Sequence, residues 1–239
     1  MKSFKTEAVI IKKRNFGEKD RILTLFTPHL GKIEALAKGA RRPGSRLSAN
    51  SDIATIADFH IQNTRSIDII SEINAIYHPD GALGEFEKTQ KLGFALKLID
   101  RLYEMSDPHP KTFHILKEVV ESISDEKRQL LFLAFLVNIL LELGAYPDLF
   151  NCIYCHKPIS EKEKITFSST GGLAHQTCCT DTSCAISDNE VKLLRVLAQE
   201  SFSRISRMKV DKKVFENSYN ILTTFIEWHF GKILPDGIL

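Results

Sequence analysis

No stretch of the sequence is apolar for long enough to cross a membrane as a helix. The longest apolar run, from Leu130 to Leu143, is shorter than the roughly 20 residues that a span requires, and it contains Asn138 and Glu142. The first apolar stretch, Ala8–Ile11, runs directly into a basic tripeptide, which is not the pattern of a secretory signal peptide. We therefore expect a cytoplasmic protein with no membrane partner.

Cysteine is scarce, and recognisable catalytic patterns are missing. The five cysteines are an odd number and cluster late in the chain, which does not fit a disulfide framework. The eight histidines are scattered, and no Ser/His/Asp or Cys/His arrangement has a local signature. The sequence therefore predicts a binding protein rather than an enzyme.

Acidic residues are also missing from one segment near the start of the chain. Lys38–Arg46, which we call the basic segment, contains four cations and no Asp or Glu. Its glycines and proline exclude a regular helix or a central strand, so it predicts a mobile loop after a β-strand. Arg and Lys in such a loop suit the phosphates of a nucleic acid, although a solvated charged turn is the alternative.

Charge over the first 50 residues favours the nucleic acid. Twelve Lys and Arg stand against four Asp and Glu there, a net charge of +8, whereas the whole chain carries only +2. Such asymmetry is typical of a surface for a polyanion. The cations predicted to hold phosphates are Lys12, Lys13, Arg14, Lys38, Arg41, Arg42 and Arg46.

Hydrophobic periodicity predicts an α+β protein. Before residue 78, short apolar or alternating runs separated by turns predict five strands in a small closed barrel, either an OB-fold or an SH3-like barrel. After Pro79 the period becomes helical, and one strongly apolar helix is predicted from Glu126 to Gly144. Phe16 and Phe26 could stack on bases; the pattern favours the barrel core for Phe26 and leaves Phe16 open.

A cysteine-rich segment interrupts the helical part. Cys152-x-x-Cys155 and His175-x-x-Cys178 have the spacing of two knuckles that bind one zinc ion. Cys179 and Cys184 are alternatives for the fourth ligand. The sequence favours structural zinc over a redox cysteine pair, a metal-free remnant, or catalytic zinc assisted by Glu161 or Glu163.

Several segments together resemble one protein family. They are Gly17–Pro28 (GEKDRILTLFTP), Gly31-Lys32, Lys38–Arg42 (KGARR), Leu141–Asp148 (LELGAYPD) and the cysteine cluster. They resemble the bacterial RecO family of recombination mediators, and the resemblance covers most of the chain. In the family's zinc pattern, Gly-Gly-x-x-Cys-x-x-Cys follows the first pair, so His175 here replaces the third cysteine and Cys178 takes the fourth place.

The resemblance implies an architecture and a function. It implies an OB-fold at residues 1–79, a helical domain at 80–150 and 185–239, and a zinc-finger-like insertion at 151–184. Such proteins bind single- and double-stranded DNA, anneal complementary strands, and work with RecR to load recombinase onto DNA coated by single-stranded DNA-binding protein. They also bind the acidic C-terminal tail of that protein. An RNA-binding protein and a protein-interaction scaffold are the alternatives.

Overall fold

The computed structural model describes residues 2–79, 85–125, 128–160, 163–179 and 183–233. The chain divides into two compact units. The first contains the described residues up to Ser124, and the second those from Asp125 to Ile233. The domain boundaries predicted from the sequence, after residues 79, 150 and 184, stay a prediction.

A closed five-stranded barrel forms the first part of unit one. Its strand order is β1-β2-β3-β5-β4, and every pairing is antiparallel except that of β3 with β5. This arrangement is that of an OB-type barrel, which confirms the predicted class. The strands are Ser3–Phe16 (β1), Asp20–Thr27 (β2), Gly31–Ala37 (β3), Ile56–Gln62 (β4) and Asp68–Tyr77 (β5), with a short helix α1, Arg46–Ala49, between β3 and β4.

The barrel core follows from the alternation of side chains along each strand. Leu23 and Leu25 on β2, and Phe59 and Ile61 on β4, point inward and are buried. Small residues such as Ala35 take inward positions on β3 and leave room for the larger ones. Only one face of each strand fills the barrel interior, so the opposite face is left for helices or solvent.

The first strand is longer than its apolar run predicts. The hydrophobic pattern ends at Ile11, but β1 continues through the basic tripeptide to Phe16. Residues Lys12 to Phe16 pair with β2 as a hairpin, and a bulge lies between Ile10 and Lys12. Backbone pairing with an apolar partner strand therefore decides the end of β1, not the polarity of its own side chains.

Two helices cover part of the barrel within the same unit. They are α2 (Phe86–Leu102) and α3 (Pro110–Ser122). Phe26 of β2 is fully buried, with its ring centroid 5.6 Å from that of Tyr103 and 6.3 Å from that of Phe113. Phe26 is thus buried, as expected, but it packs under the helical segment and not in the predicted barrel core.

The second unit is built around one apolar helix. This helix, α4 (Leu130–Glu142), is buried on nearly all sides and packs against α5 (Asp188–Gln199), α6 (Phe202–Ile205) and α7 (Lys212–Phe230). Glu126, where the sequence predicted its start, lies outside the described residues. Ser187 and Glu190 form a capping box at the start of α5, and Asp211 caps α7.

A small three-stranded sheet completes the second unit. Its strands are β6 (Ile165–Ser168), β7 (Gly172–His175) and β8 (Ser183–Ala185), in the order β7-β6-β8. Strands β6 and β7 form a hairpin between the two cysteine knuckles. Phe167 of β6 packs against Phe225 of α7, with their centroids 5.7 Å apart, and this contact holds the sheet on the helices. Within the described residues, no helix is long and apolar enough to cross a membrane.

Gly31 provides a stability test for the first unit. It has φ +66°, and a Cβ there would lie 2.6 Å from the backbone nitrogen of Asp107 and closer still to its carbonyl. We expect Gly31→Ala to lower the free energy of unfolding by roughly 2–4 kcal/mol, because left-handed strain and a backbone clash add. Gly17→Ala is the matched control, since Gly17 has φ +57° with nothing within 4 Å and should lose only about 1 kcal/mol.

Urea denaturation, monitored by circular dichroism, compares the free energies of unfolding of the two variants. Equal losses of stability for Gly31→Ala and Gly17→Ala would show that the Asp107 segment does not lie against β3 as described.

Candidate nucleic-acid interface and metal centre

The basic segment follows β3 as a series of hydrogen-bonded turns that are attached to the β1–β2 turn. The backbone N–H of Arg41 donates to the carbonyl of Lys19 (2.9 Å), and Nη1 of Arg41 donates to the carbonyl of Gly17 (3.1 Å). The predicted freely mobile loop is therefore replaced by an ordered segment, and Arg41 is partly occupied in fastening it.

Gly39 makes a further connection to the same hairpin. Its backbone N–H donates to Oδ1 of Asp20 at 2.7 Å, while Gly39 itself has φ +68°. Glycine adopts this left-handed conformation without the penalty that a Cβ imposes. The carboxylate of Asp20 thus accepts a hydrogen bond from the backbone, and the cations of the basic segment remain exposed to solvent.

None of the four cations in the basic segment has an acidic partner among the described residues, and only Arg41 uses its side chain to fasten the segment. Lys38, Arg42 and Arg46 are exposed, and no carboxylate of the described residues lies within 4.0 Å of their charged groups. Among the seven cations that the sequence predicts to hold phosphates, these three are therefore exposed and free of ion pairs within the described residues.

The three predicted cations on β1 are in a different state, because each is paired with an acid. The pairs are Lys12–Asp100 (3.0 Å), Lys13–Asp52 (2.6 Å) and Arg14–Glu34 (3.1 Å). Exposed pairs of this kind contribute only about 0–1 kcal/mol to stability, so a phosphate can replace the acid. Each of these three acids nonetheless lowers the local positive potential. Sequence reasoning treated all seven cations alike and missed the acids.

Four side chains of the second unit converge on one point. The ligand atoms of Cys152, Cys155, His175 and Cys178 all lie within 4.8 Å of one another. Nδ1 of His175 is 3.3 Å from Sγ of Cys155 and 3.9 Å from Sγ of Cys178. Sulfur and nitrogen ligands around one tetrahedral zinc ion lie roughly 3.6–3.8 Å apart, so the cluster has the dimensions to hold such an ion.

Local backbone structure brings the four ligands together. The turn at Cys152–Lys157 closes with a hydrogen bond from the N–H of His156 to the carbonyl of Cys152 (2.8 Å). The β6–β7 hairpin ends at His175, and the N–H of Cys178 donates to the carbonyl of His175 (2.9 Å). Each two-residue gap thus folds into a turn that points both of its ligands the same way.

The surroundings of Cys152 favour the thiolate form of its side chain. Burial alone would raise its pKa, but the backbone N–H groups of Cys155, His175 and Tyr154 point at the sulfur and lower the pKa to about 6. The N–H of His175 lies 3.5 Å from this sulfur. Because the thiolate is the form that binds a metal, the surrounding backbone favours metal binding.

Glu163 orients the histidine of the cluster. Its Oε2 lies 3.3 Å from Nε2 of His175, on the side of the ring away from the sulfurs. A carboxylate there holds the proton on Nε2 and leaves Nδ1 free to bind a metal ion. The sequence showed Glu163 only as part of a charged run, and its partner in that hypothesis, Glu161, lies outside the described residues.

The alternatives for the fourth ligand do not join this group. Cys184 sits opposite Phe167 in the sheet, and its Sγ is 3.7 Å from the Phe167 carbonyl. Burial raises the pKa of the Cys184 thiol, which disfavours the thiolate. The four-residue cluster found among the described residues contains His175 and not Cys179 or Cys184.

Four protein ligands would fill a tetrahedral coordination sphere and leave no position for a substrate or water, which is the pattern of structural rather than catalytic zinc. Cys152 and Cys155 also lie in a turn and not at the start of a helix, unlike a thioredoxin-type redox pair. The cluster therefore has the chemistry of a structural metal site.

Comparisons with known proteins identify the family of the chain. Residues 1–78 match the family model described as "Recombination protein O N terminal", and residues 84–236 match "Recombination protein O C terminal". Among curated proteins, the DNA repair protein RecO of Dehalococcoides mccartyi is 29% identical over 213 residues, covering 88% of this chain and 84% of the relative.

Two further relatives match almost from end to end. The DNA repair protein RecO of Caldanaerobacter subterraneus subsp. tengcongensis is 28% identical, and that of Alkaliphilus metalliredigens is 25% identical. Each alignment covers 96% of this chain and 94% of the relative. With both family models matched in order and an OB-type barrel at its start, the chain belongs to the RecO family of DNA repair proteins.

Proposed function

We propose that this protein is a non-enzymatic recombination mediator that binds DNA through the basic segment of its barrel. The observation that carries the proposal is the presence, in a RecO-family chain, of three exposed cations on one segment that have no acidic partner in the described part of the chain. Lys38, Arg42 and Arg46 supply the first phosphate contacts. Arg41 contributes charge while it fastens the segment to the hairpin.

The paired cations of β1 extend this surface. Lys12, Lys13 and Arg14 bind phosphate only when it displaces Asp100, Asp52 or Glu34, so they add affinity at the cost of breaking an ion pair. Phosphate contacts carry no sequence information, and counterions are released as they form. The protein therefore binds DNA with little sequence preference and with a steep dependence on salt.

Charge neutralisation also serves strand annealing, because two polyanions must be held side by side before they pair. We propose that the protein anneals complementary strands and helps to load recombinase onto DNA coated by single-stranded DNA-binding protein. Its partners in this role are single- and double-stranded DNA, RecR and the acidic C-terminal tail of that coating protein. These functions place it in the cytoplasm with the nucleoid.

We further propose that Cys152, Cys155, His175 and Cys178 bind one structural zinc ion. Support comes from the spacing of their ligand atoms, the backbone donors around Cys152, and the contact between Glu163 and His175. When bound, the ion would supply cross-links between the turn at Cys152 and the β6–β7 hairpin. Such cross-links stabilise small sheets that have little core of their own.

The first prediction concerns annealing. We expect Arg42→Glu/Arg46→Glu to abolish annealing of complementary labelled strands coated with the cognate single-stranded DNA-binding protein, because the double change replaces unopposed phosphate contacts with repulsive charge. Wild type should anneal the same strands rapidly. Fluorescence energy transfer between the two labels monitors the annealing.

Lys5→Glu/Arg65→Glu is the matched control for that experiment. Both residues are exposed on the barrel, outside the basic segment, and the double change alters net charge by the same amount. An equal loss in the control would mean that overall charge, and not this segment, determines annealing. If wild type binds naked DNA or RNA but never anneals coated strands, the mediator role is wrong.

The second prediction tests the ion pairs on β1. We expect Asp52→Asn and Glu34→Gln each to tighten DNA binding by about two- to tenfold at low salt, because they release Lys13 and Arg14 for phosphate. The salt dependence of the affinity should become steeper at the same time. Fluorescence anisotropy with a labelled oligonucleotide over a salt series gives both quantities.

Glu72→Gln provides the control for these two variants. Glu72 is exposed on β5 and forms no ion pair within the described part of the chain, so its substitution changes net charge without releasing a cation. If Glu72→Gln tightens binding as much as Asp52→Asn, the gain reflects the general field and the pairs do not restrain the cations.

The third prediction concerns the metal. We expect about one zinc per chain in the purified protein, and a loss of that zinc in Cys152→Ser. Cys184→Ser should retain the metal, because Cys184 belongs to the same segment but lies outside the cluster. Zinc content measured by mass spectrometry, together with proteolysis of residues 150–180, checks both statements. Loss of zinc from both variants would contradict the ligand set.

A further inference from the structure

Phe16 is a large aromatic side chain that the fold leaves half in solvent. It is the last residue of β1, opposite Asp20 at the start of β2, and 48% of its surface is exposed. Among the rings that the structure describes, none stacks on it. Phe26, in contrast, is enclosed between Tyr103 and Phe113. About half of the Phe16 ring surface is therefore available to a ligand.

The turn that follows Phe16 is joined to the basic segment. Gly17, the next residue, accepts a hydrogen bond from Nη1 of Arg41. Asp20, which lies opposite Phe16, accepts a hydrogen bond from the backbone N–H of Gly39 in the same segment. An apolar ring attached in this way to a cationic segment suits a ligand that has an apolar face and a charged backbone.

We propose that Phe16 is a stacking platform for a base of single-stranded DNA whose phosphates lie on the basic segment. This inference rests on the proposed function and makes it more specific. Bases present a flat π-face to an aromatic side chain only when they are unstacked from their neighbours. In a duplex those faces are occupied, so Phe16 discriminates in favour of single strands while the cations serve both forms.

Charge favours this occupant over a hydrophobic peptide. The segment that is attached to the Phe16 turn holds Lys38, Arg42 and Arg46 without acidic partners among the described residues. A hydrophobic peptide would leave these cations uncompensated, whereas a nucleotide satisfies the ring and the cations together.

The test measures affinity for a single-stranded oligonucleotide and for a duplex of the same length, with wild type and Phe16→Ala. We expect Phe16→Ala to weaken single-strand binding by about five- to hundredfold and to leave duplex binding unchanged. The slope of log affinity against log salt should not change, because no phosphate contact is lost. Phe16→Trp should restore single-strand affinity, and Phe16→Leu should not.

Two controls separate this proposal from the proposed function. Ile76→Ala removes an equally exposed apolar side chain of the barrel and should change neither affinity. Arg42→Ala/Arg46→Ala should weaken both DNA forms and lower the single-strand salt slope by roughly 0.7 for each cation removed. If that variant has no effect, the proposed DNA site is wrong, whatever Phe16 does.

Two results would overturn the inference itself. Unchanged single-strand binding by Phe16→Ala would show that no base stacks on the ring. An equal loss for single strand and duplex would show that Phe16 supports the hairpin and does not discriminate between them. In both cases a loss of affinity in Arg42→Ala/Arg46→Ala would leave the DNA-binding function standing.

Discussion

The architecture of the first unit depends on strand β1, because this strand pairs with a different partner along each of its two halves. Residues 3–9 pair with β4 and close the barrel, and residues 9–16 pair with β2 and form the hairpin. The bulge between Ile10 and Lys12 separates the two. The bulge changes the register, so the strand begins in the barrel core and ends in an exposed, polar hairpin. The hairpin end is then the support to which the basic segment is attached.

Electrostatic pairing makes this surface uneven. Half-exposed acids oppose the cations of β1, whereas the cations of the basic segment are opposed by none within the described residues. In the proposed function, a phosphate backbone would meet contacts of two kinds, one immediately available and one that requires an exchange of partners. Because exposed ion pairs are individually weak, DNA could drive this exchange. The acids would then moderate affinity without blocking the proposed surface.

The Cys/His cluster of the second unit depends on the geometry of its backbone. Two tight turns point four ligands at one place, and backbone N–H groups stabilise the charged form of Cys152. Glu163 completes the arrangement by holding the outer nitrogen of His175. A histidine in place of the third cysteine of the family pattern is thus compatible with metal binding, since the neighbouring carboxylate selects the tautomer that a metal requires.

The sequence by itself determined a small five-stranded barrel, the helices after it, the excess of positive charge near the start and the spacing of the cysteines; the strand order that makes the barrel OB-type came from the tertiary structure. These features are local: alternation, helical periodicity, turn residues and short gaps each act over a few neighbours. The end of β1 escaped prediction because it depends on pairing with β2 and not on its own polarity.

Only the tertiary structure decided which cations are available. The partners of Lys13 and Lys12 lie 39 and 88 residues away in sequence, so no local pattern could reveal them. The pattern left the burial of Phe16 open, and only the tertiary structure shows that Phe16 is half exposed and that Phe26 is covered by helices. Charge and composition are properties of the chain, but whether a side chain is paired, buried or free depends on residues that folding brings beside it.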